Sequence, residues 1–452
     1  MLQYTSLSSN LSGLNNSFTN GEDQPMMKSN QWISGQMVGR CSALVIVSCL
    51  FASFILLPPN YCSAVSIRGS AITLGQGFED SEGEDHFNLA QGLRIHAYQL
   101  GLDELSFHGY FQYYGDLSND FADEGKFRLY HGYLSYKKRD FPLNIRAGRF
   151  FLFRGVAVGV LDGGEFTYKI NPQWSFTGFG GVQGPLSREW EFNPGGNSPM
   201  FGGEVRWLPP KFKYIKPSLS LSYTRQEREG DLLRHLLGLS IYLRINRKWS
   251  SLNVLHLNLE GSSLRKALTR WRYVDRKFQF SAEAGVIQPY VAAYYYFSDF
   301  DSEGTIKRLK GTVEYHHVPR KWVLGLSTLY FSTSEYGFRI GPYLIFPLGR
   351  IGYHHSWGDQ PNNNVFWGNL RFSPKSYIDL YTYAASMDYE WEAMAIDSYE
   401  SIMVNVGCKI RPPFLKRTEF GAELQNYRTP QLESDRRVIV NFLWNFDYQR
   451  SE

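Results

Sequence analysis

The sequence predicts an all-β chain that closes into a transmembrane antiparallel β-barrel of about 18 strands, in a range of roughly 16–20. Three observations carry this reading. The chain of 452 residues is rich in aromatics and glycine, with Tyr 30, Phe 32, Trp 11 and Gly 42. Those residues favour pleated strands and tight turns over helices. Short runs alternate apolar and polar residues along nearly the whole length. One apolar run alone resembles a membrane helix, and it lies near the start.

That run is Ala43 to Leu57, uncharged, with Arg40 before it and Pro58 and Pro59 after it. It is short for a span but suits the core of a signal peptide. Cys62, Ser63 and Ala64 supply small residues, so cleavage is expected after Ala64. Residues 1–64 are read as a disordered extension plus signal peptide, with translation starting at Met37, Met26 or Met27. Residues 65–452 form the barrel. Of the four cysteines, Cys41, Cys49 and Cys62 precede the cleavage point and Cys408 alone follows it. The mature chain therefore forms no internal disulfide.

From Val65 onward the period is two. Leu143, Ile145 and Ala147 alternate with Asn144, Arg146 and Gly148. Leu219, Leu221 and Tyr223 alternate with Ser218, Ser220, Ser222 and Thr224. Leu255, Leu257 and Leu259 oppose His256, Asn258 and Glu260; Phe420, Ala422 and Leu424 oppose Glu419, Gly421, Glu423 and Gln425. Turn chemistry separates the runs, as at Asp162-Gly163-Gly164, Asn171-Pro172 and Pro347-Leu348-Gly349. A polar face this hydrophilic suits a wet lumen, and its apolar counterpart suits lipid. Trp207, Trp249, Trp271, Trp322, Trp357 and Trp367 fall mostly beside turns, where bilayer interfaces place such rings. With ~20 residues per strand and connection, the mature chain holds about 18 strands. A barrel of that size typically encloses an aqueous channel.

The last strand is the sharpest signal. Val438, Val440, Phe442, Trp444, Phe446 and Tyr448 alternate without a miss, and Asn441 and Asn445 lie between them. Here the sequence resembles Gram-negative outer-membrane β-barrel proteins of the porin kind, whose final strand ends in alternating hydrophobics and an aromatic. The resemblance implies that the barrel assembly machinery reads Phe442, Trp444, Phe446 and Tyr448. The chain departs from the pattern by adding Gln449-Arg450-Ser451-Glu452. The segment Asn144 to Arg149, followed by Leu161-Asp162-Gly163, looks like the Arg-x-Gly-Arg strand pattern of alginate-export-type porins. The location implied is the bacterial outer membrane, with outer-membrane lipids as partners and a homotrimer left open.

Other classes fit less well. The balance of 47 Lys+Arg against 43 Asp+Glu gives +4, too even for a chain that lives by binding nucleic acid. A mean hydropathy of −0.33 excludes a bundle of membrane helices. No G-x-S-x-G, H-E-x-x-H, C-x-x-C or P-loop occurs, so no catalytic or metal-binding residue and no cofactor is assigned. The doublets His316-His317 and His354-His355 sit in strands, where neighbours point to opposite faces. A transporter with a folded plug calls for ~22 strands and a long N-terminal domain, and strands here begin almost at once. The expectation is a passive channel for small polar solutes or ions. Its alternative is a non-conducting barrel with a structural or a lipid- or peptide-hydrolysing role. Arg146, His256, Asn258, Glu260, Glu419, Glu423, Asn441 and Asn445 are the expected pore-lining residues. Their mixed signs predict no sharp charge selectivity.

Overall fold

The computed structural model describes residues 66–449, apart from 80–82, 84, 118–125, 139, 186–197, 211, 213, 229, 289–303, 334–335, 360–361, 392–395 and 430–431. The expected signal peptide, its cleavage after Ala64 and the extension before it lie outside the described residues. Twenty-two strands follow in order. They are β1 (Ser66–Glu79), β2 (Asp85–Tyr98), β3 (Leu105–Asp116), β4 (Lys126–Lys137), β5 (Leu143–Arg154), β6 (Ala157–Lys169), β7 (Trp174–Gln183) and β8 (Pro199–Trp207). Next come β9 (Lys216–Arg228), β10 (Asp231–Arg244), β11 (Trp249–Asn258), β12 (Ser263–Val274), β13 (Phe278–Ile287), β14 (Ile306–His317) and β15 (Trp322–Ser332). The last are β16 (Tyr336–Phe346), β17 (Gly349–Gly358), β18 (Asn363–Lys375), β19 (Ile378–Trp391), β20 (Ile396–Ile410), β21 (Thr418–Thr429) and β22 (Leu432–Gln449).

Each strand pairs antiparallel with its sequence neighbours, and β1 pairs with β22 from Ser66↔Gln449 to Phe78↔Arg437. The sheet is therefore closed and has no edge. Twenty-two strands spaced ~4.8 Å apart and tilted by ~40° give a barrel roughly 40 Å across. The count exceeds the expected 18. The reason is turn length: at one rim, strands are joined by as little as Pro347-Leu348 or Ser376-Tyr377. That leaves room for more strands than a uniform ~20-residue repeat allows.

The pleat sorts the side chains. Phe166, Leu221, Leu255, Leu309, Leu324, Phe366, Val406, Leu424 and Val438 are large, exposed and on one face. That apolar face is the outside, and it makes the chain an outer-membrane-type barrel. Cys408 lies on it, opposite Leu380. Both termini of the sheet meet one rim, here called the terminal rim; the other is the distal rim. Trp174, Trp207, Trp249 and Trp322 begin or end strands at the terminal rim, with Trp174 stacked on Trp207 at 5.5 Å. Trp357 lies at the distal rim, 4.5 Å from Phe338. Trp367 departs from the expected girdle. It lies inside β18 on the polar face, with the Arg350 guanidinium 5.4 Å over its ring.

Candidate functional site: the lumen and its inward hairpin

The β5–β6 ladder runs unbroken to Arg154↔Ala157. Its flanking partners stop short. β4 pairs with β5 only as far as Gly132↔Arg149, and β6 with β7 only as far as Leu161↔Gln183. Residues 150–160 therefore leave the wall as a free hairpin. They turn inward: the Val156 N–H donates to Ser222 Oγ at 3.2 Å, three strands away on the polar face of β9. A wide lumen should wet that face. Instead Ser222, Thr224 and Gln226 are 3%, 1% and 2% exposed, because the hairpin covers them.

Local sequence permits the bend. Gly148 has φ +126° and Gly155, in the turn, has φ +54°, both disfavoured for residues with a Cβ. A Cβ on Gly238 of β10 would collide with Val156, so the landing site also needs glycine. One face of the hairpin supplies Phe150, Leu152, Ala157 and Leu161. They pack with Phe179 and Met200 of the wall into a hydrophobic core, with Tyr133 against it. Phe151 and Phe153, on the hairpin's other face, are exposed.

Ion pairs clamp the hairpin where it leaves the wall. Arg149 and Asp162 are bidentate, Nε to Oδ1 at 2.6 Å and Nη2 to Oδ2 at 2.7 Å, and almost wholly buried. Arg149 Nη1 also donates to the Leu129 carbonyl at 3.4 Å. Glu165 receives Arg146 Nη2 at 2.8 Å and Arg154 Nε at 2.9 Å. Arg154 comes from the hairpin tip and Arg146 from the wall, so this carboxylate ties one to the other. The Arg146 guanidinium lies 4.6 Å over the Phe150 ring. The Arg-x-Gly-Arg segment is thus the hinge of the hairpin.

The remaining predicted residues are spread around the wall. His256 is on the polar face of β11, opposite Gly238 and Lys266. Asn258 ends β11, and its Oδ1 accepts the Glu260 N–H at 3.4 Å. The alternation stops there, so Glu260 is an exposed turn residue at the distal rim rather than a strand residue. Glu419 binds Arg411 Nε at 2.8 Å and lies 3.6 Å from Lys409 Nζ. Glu423 accepts from the Tyr381 hydroxyl at 2.8 Å and from Gln425 Nε2 at 2.6 Å. Asn441 faces Gly421 and Leu74 across its two ladders, and Asn445 Nδ2 donates to the Arg417 carbonyl at 3.5 Å. Phe442, Trp444, Phe446 and Tyr448 lie on the opposite face of β22, at the closing seam beside Thr73, Ala71, Gly69 and Ile67.

Sequence reasoning missed the charge pattern of the inner wall. Three carboxylates each hold two arginines: Glu165 with Arg146 and Arg154, Glu283 with Arg270 and Arg308, and Asp379 with Arg371 and Arg411. The first two triads keep a net positive charge, while Arg411 of the third is shared with Glu419, which Lys409 also approaches. Lys266, Lys310 and Arg339 add to the same face. The same face also carries Glu314, Glu419 and Glu423, so both signs are present, with arginines grouped around carboxylates. The partners of Glu283 come from β12 and β14, on either side of β13, a grouping no linear motif displays. Also missed were His96 and His108, paired at 2.8 Å between Nδ1 atoms on β2 and β3. The doublets do point apart. His316 bonds Glu314 on the inner face, while His355 bonds Asn364 and stacks on Trp357 outside. Among the described residues no cluster of three or more His, Cys, Asp or Glu could hold a metal ion.

No protein-family model matches the chain, and no curated protein does. Several solved barrels are similar in fold. The P pilus usher (PapC) translocation pore is 9% identical, with a TM-score of 0.48 over 84% of this chain and 99% of that one. OccK3 (OpdO) of Pseudomonas aeruginosa is 8% identical, with a TM-score of 0.39 over 85% and 95%. OccAB3 of Acinetobacter baumannii is 10% identical, with a TM-score of 0.39 over 85% and 99%. At these values the likeness is one of barrel architecture.

Proposed function

We propose that this barrel is a passive outer-membrane channel for small polar solutes and ions, biased toward anions, with its bore set by the β5–β6 hairpin. The observation that carries the reading is the inner wall, where Glu165 and Glu283 each hold two arginines and Lys266, Lys310 and Arg339 stand on the same face. Such a lumen lowers the cost of moving a polar solute past ~25 Å of apolar belt. Fixed positive charge raises the local concentration of anions. In this reading Arg146, His256, Asn258, Glu419, Glu423, Asn441 and Asn445 line the path, and Glu260 marks its distal mouth. Phe442, Trp444, Phe446 and Tyr448 serve recognition by the assembly machinery, on the strand that also closes the sheet. No covalent chemistry is needed.

The test is the full chain, recovered from outer membranes and inserted into a planar bilayer under a KCl gradient. Stepwise conductance with a reversal potential on the chloride side is expected. Conductance with potassium preference would sink the anion bias and leave the channel standing. A folded, heat-modifiable barrel without conductance would sink the channel and turn attention to the structural or hydrolytic alternative.

A further inference from the structure

The terminal rim carries a cationic arc. Three successive connections there, β10–β11, β12–β13 and β14–β15, each hold a basic pair: Arg247 and Lys248, Arg276 and Lys277, Arg320 and Lys321. All six side chains are exposed. One acid stands among them, Asp275, whose carboxylate holds Lys248 at 2.7 Å. Successive connections are two strands apart, so the six charges cover about 20 Å of rim.

Directly inboard, on the apolar face, lies a row of aromatic rings. Trp249 meets Tyr273 at 4.8 Å and Phe278 meets Tyr315 at 5.3 Å. Trp322 lies 5.8 Å beneath the Arg320 guanidinium. The turns fix this order. Asn246 Oδ1 accepts the N–H groups of Lys248 and Trp249, both at 2.8 Å, so the charged pair stands just outside its ring. The Asp275 N–H closes the next turn on the Phe278 carbonyl at 2.7 Å. Aromatic belts settle at the headgroup level of a bilayer. The basic pairs therefore stand at the depth of the lipid phosphates. Among the described residues, Glu79, Asp85, Asp231, Glu260 and Asp359 are exposed at the distal rim, alongside Lys126, Lys307 and Arg428.

We propose that this arc is a binding surface for anionic glycerophospholipids in the leaflet that meets the terminal rim. Guanidinium and ammonium groups pair with the phosphodiester while the aromatic row packs against the upper acyl chains. The connections are tight turns that do not rise from the membrane, which favours a lipid over a soluble acidic protein. The arc lies at the rim beside the outer aromatic row, so the proposal is independent of whether the lumen conducts.

The experiment is native mass spectrometry of the full chain in detergent, incubated with phosphatidylglycerol or phosphatidylcholine of matched chain length. Retention of phosphatidylglycerol is expected to exceed that of phosphatidylcholine by at least about tenfold, since each membrane-proximal basic residue contributes appreciably. Replacing all six basic residues by Gln should bring the two lipids to near parity, with heat-modifiable migration unchanged. A second variant, Arg276→Gln with Lys277→Gln, should lose about two- to fivefold and covers failure of the larger variant to fold. Equal retention of both lipids by the unaltered chain would overturn the proposal, as would undiminished phosphatidylglycerol binding by the two-residue variant. Arc-dependent preference for lipid A over phosphatidylglycerol would assign the phosphates to the other leaflet and overturn the proposed source.

Discussion

Replacing Arg149 by Ala attacks the hairpin at its hinge. The Arg149–Asp162 pair is bidentate and almost fully buried, so removing one partner leaves Asp162 as an uncompensated buried charge. Breaking such a pair costs about 3–5 kcal/mol. Against this stands the burial of Phe150, Leu152 and Leu161, worth about 1.5–3 kcal/mol each. The docked form therefore persists, but the undocked fraction rises by roughly two to three and a half powers of ten, at 1.4 kcal/mol per decade. Single-channel recording reads this directly. The unaltered barrel should hold one steady level, and the variant should show frequent excursions to a larger one. The paired change Arg149→Met with Asp162→Leu removes both charges and should return the trace to one level, because a buried ion pair exchanged for apolar residues is nearly neutral. An Arg149→Ala barrel that folds and shows the same single level would refute the idea that the hairpin is held by its clamp and sets the bore.

Three further outcomes follow from the same geometry. Gly238→Val places a side chain where Val156 lands, so it should raise mean conductance in the bilayer assay while leaving the β9–β10 ladder intact. Glu165→Gln strands Arg146 and Arg154 without their shared carboxylate; the chloride-to-potassium permeability ratio should rise, and urea unfolding should show a loss of roughly 2–4 kcal/mol. Raising KCl toward 1 M shrinks the Debye length to about 3 Å, so the permeability ratio measured by reversal potential should move toward unity.

Much of the fold was legible because the pleat writes itself in every second residue. The runs around Leu143, Leu219, Phe420 and Phe442 fall in strands with the expected faces, and the run around Leu255 does so as far as Asn258. The strand number was not legible, since turn length is a local choice and Pro347-Leu348 needs no more than two residues. Trp367 misled for a similar reason. Aromatic residues near turns are mostly interfacial, but this one uses an arginine partner on the inner face. The hairpin did leave a trace: Phe150, Phe151, Leu152 and Phe153 break the alternation, with Phe150 and Leu152 packed against the wall and Phe151 and Phe153 exposed. What no pattern could supply was the landing site, because Val156 and Ser222 are 66 positions apart. The arginine triads were hidden in the same way, each assembled across neighbouring strands.

The seam between β1 and β22 has a kinetic consequence. It joins Ser66 to Gln449, the two ends of the described chain, so it closes the longest loop the fold contains. Every other ladder links sequence neighbours and can form early at low entropic cost. The seam cannot form until the rest of the sheet has curled round to meet itself. Until then β1 and the growing front both expose unpaired N–H and C=O groups, the condition in which strands join the wrong chain. Folding of this barrel is therefore governed by one late event, and the yield of native protein depends on how long β1 is kept from other partners before β22 reaches it.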